Sequence, residues 1–316
     1  MANPIHLLIP FAAGSAPAAR DALAALRLPR LQALLDRLQA APAESVDEMA
    51  PEPPHERALA RILGLDAGPG RTPWAAHQLR QGGGSPGLDA WAWISPCHWK
   101  VGMDQMLMQD PAALNLAEDH SRTLLEAMAP FFAEDGLELR FDAPGRWLAR
   151  GELFRELTTA SVDRVSGRDV AAWMPESPQA RSLHRLQSEM QMLLYTHPVN
   201  DERAEQGLPP VNSFWVSGAG ALGGEAPAPT ELPKVATDLR DAALRQDWAA
   251  WAQAWQQLDA GPCQSLLTAV QGGQPVRLTL CGERAFQTYA SAPQGFFRGI
   301  SRFFGTEPAS NRLSLL

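Results

Sequence analysis

Cysteine is scarce in this chain of 316 residues, which has only Cys97, Cys263 and Cys281, an odd number with no Cys-x-x-Cys pair. That excludes a disulfide framework or a zinc finger and leads us to expect free thiols in a reducing cytoplasm. Positive charge is short as well. A formal net charge of −8 argues against a nucleic-acid partner held through its phosphates. No apolar run approaches the length of a membrane span, so no membrane partner is expected. Leu7–Ala13 is apolar and followed by small residues, but no basic stretch precedes it, as a signal peptide requires. The seven histidines are scattered, and neither a His-x-x-x-His pair nor an Asp-rich cluster supplies a metal cage.

What the chain does contain is enough for an ample core. Ile5–Pro10 and Val276–Cys281 are short apolar runs of the buried parallel-strand type, and Ser213–Ser217 is a third buried strand. Pro29 opens a helix carrying Leu31, Leu34, Leu35 and Leu38. Ala40–Pro54 is a Pro- and acid-rich surface loop, and His55–Gly64 is helical. Ala90–Ser95 alternates as a strand. Asn115 and Glu118 resemble a capping box for a helix with Leu124, Leu125, Met128, Phe131 and Phe132 on one face. Leu244, Trp248, Trp251, Trp255 and Leu258 follow a 4-3-4-3 spacing, with Asp247 placed to cap a helical restart. Such an aromatic stripe is either core or, because exposed Trp favours interfaces, a protein-binding face. The tail that includes Phe296–Phe304 is apolar and basic, a docking segment or an element packed on the core.

The densest stretch runs from His197 to Gly220, a polar loop and a Pro pair followed by a buried strand that empties into glycines. Loops at the ends of buried strands are where α/β proteins place ligands. His197-Pro198, Asn200, Arg203, Gly207, Asn212, Trp215, Gly218 and Gly220 together resemble the archaeal-type cofactor-independent phosphoglycerate mutases of the alkaline phosphatase superfamily. The likeness runs towards a short bacterial branch of phosphoglycerate mutase-like, RpfE-type regulatory proteins.

That resemblance implies an α/β fold, with an alkaline phosphatase-like core, a mostly parallel sheet and an inserted α+β cap. Residues 1–88 and 205–316 would form the core and 89–204 the cap, with Ile5–Pro10, Ser213–Ser217 and Val276–Cys281 in one sheet. It also implies two divalent metals and a nucleophilic Ser. The family's metal-binding Asp-Gly is Pro10-Phe11 here, its Pro-His-Asp run is reduced to Asp163, and its Asp-His is Glu283-Arg284. The position of the nucleophile falls on His55. A hard cation needs oxygen ligands, and an Arg cannot ligate one.

We therefore expect a pseudoenzyme with no catalytic residue and no cofactor, acting as a binding or regulatory protein. An active mutase or phosphohydrolase, using manganese or zinc, is the alternative, and a protein scaffold is a second. His98, Arg146, His197, Asn200, Arg203, Asn212 and Trp215 are the candidate ligand residues. Guanidinium groups suit a phosphorylated or carboxylate small molecule. A protein partner would use Trp248, Trp251 and Trp255 or the Phe-Phe tail.

Overall fold

A computed structural model describes residues 3–223, 232–291 and 307–316. The expected segment Phe296–Phe304 lies outside these. The chain divides into two compact units, one of Met1–Met49, Pro53–Gly64 and Ala228–Leu316, the other of Ala50–Glu52 and Leu65–Pro227.

The first unit is mixed α/β. Its central strand β1 (Ile5–Ile9) pairs in parallel with β11 (Val276–Cys281) on one side and with the short β10 (Lys234–Val235) on the other. Antiparallel to β11 runs β12 (Ala285–Ala290), which also carries β2 (Gln39–Ala40) and β3 (Glu44–Ser45). The apolar run of β1 is continuous because both of its faces are covered. Leu7 and Ile9 enter a large cluster, while Leu8 joins Ala58, Cys281 and Phe286 in a smaller one.

Helices α1 (Pro17–Ala25), α2 (Pro29–Leu35), α9 (Arg240–Leu244), α10 (Trp248–Leu258), α11 (Gln264–Gln271) and α12 (Ala309–Leu313) all contribute to the large cluster. Ala58 belongs to α3 (Pro54–Ile62). Pro stands in the first turn of α1, α2 and α3, where its missing N–H costs nothing. Asp247 caps α10 by accepting from the Ala250 N–H at 3.0 Å. Within α10 the aromatic stripe is core: Trp251 and Trp255 are both 0 % exposed. Neither ring is available to a partner, which corrects that expectation; Trp248 remains half-buried.

The second unit is built on an antiparallel sheet in the order β7 (Glu138–Ala143), β8 (Arg146–Arg150), β4 (Ala90–Cys97), β9 (Ser213–Ala221). Its core faces α5 (Glu118–Glu134), α7 (Ala180–Tyr195) and α8 (Pro198–Glu205). The helix α4 (Trp74–Gln81) packs on β4 and β9. Where Trp74 crosses β9, Gly218 has φ +61 and a Cβ there would meet Trp93 and Trp74 at 2.9 and 3.0 Å. A hairpin of β5 (Trp99–Val101) and β6 (Met106–Met108) projects beside the small helix α6 (Val162–Val165).

This unit is larger than the expected cap at 89–204, since it takes in residues 65–88 and 205–227. The reason is β9, which was expected to lie beside β1 and β11. It pairs instead with β4, antiparallel, from Ala90↔Ala221 to Cys97↔Ser213. Phe214 and Val216 pack among the helices of this unit, Phe214 against the Phe132 ring at 5.2 Å.

Candidate functional site

In an open α/β sheet, ligands gather beyond the carboxyl ends of the parallel strands. Here those ends are β1 and β11, and the loops that follow are stitched to each other. The Ala12 N–H donates to the Cys281 carbonyl at 2.8 Å. Ser15 donates both its N–H and its hydroxyl to Glu283 Oε2, at 2.8 and 2.6 Å. Behind them, Trp251 Nε1 donates to the Phe11 carbonyl at 2.9 Å and Trp255 Nε1 to that of Ala12 at 3.2 Å.

Phe11 itself has φ 55, the left-handed region in which a Cβ is penalised and glycine is the natural occupant. Its ring lies 5.0 Å from that of His55, on the first turn of α3. Arg284 donates to Glu48 at 3.0 Å.

These residues do not fit the divalent metals implied by the resemblance. The position of the first ligand is Pro10, which has no side-chain oxygen, one oxygen of Glu283 already accepts two hydrogen bonds, and Arg284 brings a positive charge beside it. His6 of β1 is buried, with Nε2 2.9 Å from the Thr279 hydroxyl. Burial first, then the neighbouring Arg277, pushes its pKa down to about 4. The thiols of Cys97, Cys263 and Cys281 are free and buried. Burial raises all three pKa values, that of Cys263 to about 12.

The candidate ligand residues all belong to the second unit, and most serve one loop. The carbonyls of Pro209 and Pro210 are each met by a side-chain donor. Arg203 Nε donates to Pro209 O at 2.9 Å, and His98 Nδ1 to Pro210 O at 2.9 Å. Asn200 donates to Val211 O and accepts from Val211 N, both at 2.8 Å, and donates again to Leu194 O. Asn212 does the same for Trp99, accepting from its N–H at 2.7 Å and donating to its carbonyl at 2.9 Å.

Arg203 is 0 % exposed, and its Nη2 reaches Leu114 O at 2.6 Å, while Nη1 has no partner among the described residues. Desolvation lowers its pKa. We expected this guanidinium to serve a phosphorylated or carboxylate ligand; its observed hydrogen bonds are to backbone carbonyls.

His197 caps α8, its Nδ1 accepting from the Val199 N–H at 3.2 Å, and desolvation outweighs Glu202 in lowering its pKa. Trp215 Nε1 donates to Ala160 O at 2.8 Å. Arg146 stands apart from the loop, paired with Asp142 at 2.8 Å and lying over the Trp93 ring. Asp163 sits in the first turn of α6.

The fold is thus of the mixed α/β class, with strand ends where such proteins bind ligands. Several known proteins share similarity with the chain. No family model matches the chain. Among characterised relatives, it is 26% identical over 205 residues to a probable 2,3-bisphosphoglycerate-independent phosphoglycerate mutase of Geobacter sulfurreducens, covering 63% of this chain and 50% of that protein. It is 25% identical over 206 residues to the 2,3-bisphosphoglycerate-independent phosphoglycerate mutase of Methanosarcina mazei, covering 64% of this chain and 50% of that one. The chain therefore spans about half the length of these relatives.

Solved structures similar to it include the cofactor-independent phosphoglycerate mutase of Thermoplasma acidophilum (14% identity, 93% of this chain and 91% of that one, TM-score 0.35). The PH0037 protein of Pyrococcus horikoshii is another (12% identity, 92% and 88%, TM-score 0.43). Among the described residues no helix is long and apolar enough to cross a membrane.

Proposed function

We propose that this chain is a phosphoglycerate mutase-like protein of alkaline phosphatase type that has lost metal-dependent phosphoryl transfer and acts in the cytoplasm as a binding or regulatory protein. We place it with the short RpfE-type bacterial branch. The observation that supports this reading is the end of β1, where Phe11 holds a glycine-like φ of 55 in place of a metal-binding Asp-Gly. Two-metal phosphoryl transfer depends on cations that neutralise the transferring group. A Pro in place of the Asp, a Glu already bonded to Ser15 and an Arg do not supply that cation site.

The test is metal analysis of the purified protein, together with an assay for interconversion of 2- and 3-phosphoglycerate in added manganese, cobalt or zinc. We expect no turnover above background. Chelator-sensitive turnover would replace this reading with that of an active mutase or phosphohydrolase.

A further inference from the structure

The second unit carries a cleft that shares only Gly220 with the residues of the family resemblance. It encloses about 520 Å³, and its walls include Arg71, Leu88, Arg155, Glu156, Leu222 and Gly223. Arg71 pairs with Glu156 through one nitrogen, Nη2, and the other two guanidinium nitrogens have no partner among the described residues. Arg155 bonds Glu152 through Nε and Nη2 and Leu88 O through Nη2, which leaves Nη1 unused. Beyond the last β4–β9 rung, Ala90↔Ala221, the backbone of Leu222 and Gly223 makes no hydrogen bond to the described chain.

This lining is rich in donors. Arg71, engaged through Nη2 alone, suits an oxyanion that it can grip in a bidentate manner once Glu156 is displaced, and Arg155 can add N–H bonds from Nη1. The present partner of Arg71 is the less firmly held of the two carboxylates, since it is engaged through a single guanidinium nitrogen. Glu156 is 66% exposed and Glu152 76% exposed. Ion pairs so open to water contribute little and exchange readily for another anion.

We propose that this cleft binds a small oxyanion, either a phosphate ester or a carboxylate, on Arg71 and Arg155, with Glu156 as the internal anion that the ligand displaces. The assignment goes beyond the lost phosphoryl transfer and does not depend on it, because none of these residues belongs to the strand ends of the first unit.

The test uses the full chain in a phosphate-free buffer, titrated calorimetrically with inorganic phosphate and, separately, with malonate. Saturable one-to-one binding is expected for at least one of them, and the preferred probe tells a phosphate ester site from a carboxylate site. Arg71→Ala and Arg155→Ala should each weaken binding by about tenfold or more. Glu156→Gln removes the internal competitor and should tighten binding severalfold, which a purely structural Glu156 would not do. Arg140→Ala, on the exposed part of β7, should leave it unchanged. Thermal melts without ligand show whether each variant is folded. The proposal is overturned if neither probe binds saturably to wild type or Glu156→Gln. Binding indifferent to both arginine variants overturns it too.

Discussion

The end of β1, where the family's Asp-Gly is replaced, and the Pro209–Asn212 loop, inside the stretch that carries the resemblance to phosphoglycerate mutases, depart from that family in opposite ways. At β1 the functional side chains differ while the backbone keeps a glycine-like conformation, with Phe11 at φ 55. At the loop the expected side chains are present, and they are occupied by backbone carbonyls, through Arg203, His98 and Asn200. A polar motif can therefore mark the support of a loop as readily as a ligand. The distinction lies in what the polar atoms touch.

The largest test of that contrast is Arg203→Ala. It leaves the carbonyls of Pro209 and Leu114 buried without their donor and opens a cavity, which together should cost about 3–5 kcal/mol in urea denaturation. Arg203→Lys should recover less than half, because one ammonium on a flexible stem cannot reproduce the planar fork. A loss below about 1 kcal/mol would return Arg203 to the list of ligand residues.

The next effect separates the units by pH. The pKa of His6 is depressed from 6.5 to about 4, so the unfolded chain binds its proton more readily. The stability this buried neutral ring contributes is complete above pH 6.5 and is lost as pH falls towards about 4, up to roughly 3 kcal/mol. Replacing His6 with Gln should remove that part of the acid dependence, as read from urea midpoints between pH 7 and 4. An unchanged slope would show that the loss comes from other groups, such as His77 and His197, whose pKa values burial also lowers.

The smallest effect concerns the backbone of Phe11. At an ordinary site Ala is tolerated better than Gly, but a left-handed φ reverses that order by about 1 kcal/mol. Phe11→Gly should melt at a higher temperature than Phe11→Ala. The opposite ranking would mean that the chain relaxes away from the glycine-like conformation, and the parallel drawn with the family's Asp-Gly would fail.

Much of the fold was legible because local pattern dictated it. The runs at Ile5–Ile9 and Val276–Cys281, the Trp stripe of α10 and its Asp247 cap are all statements about periodicity or a single hydrogen bond. The sheet chosen by β9 was not legible, since an apolar run reports that both faces are covered without saying by what. Asn115 misled for a different reason. It ends the 3-10 turn Pro111–Leu114 at φ 46, a left-handed role Asn also favours, and α5 starts uncapped at Glu118.

At the candidate site the residues could be picked out, but their partners could not. The acceptors of Arg203 and His98 are main-chain oxygens, delivered only when the loop folds back. Arg71 and Arg155 gave no sequence signal, because Arg71 meets Glu156 only across 85 residues of chain.

The placement of the three thiols turns the protein into its own clock. Cys97 lies in the second unit and Cys263 and Cys281 in the first, each 0 % exposed. A thiolate is the reactive species, so a buried, protonated thiol is silent to alkylating reagents until its surroundings open. The order in which these positions are labelled under native conditions would then time the opening of each unit, without a single engineered probe.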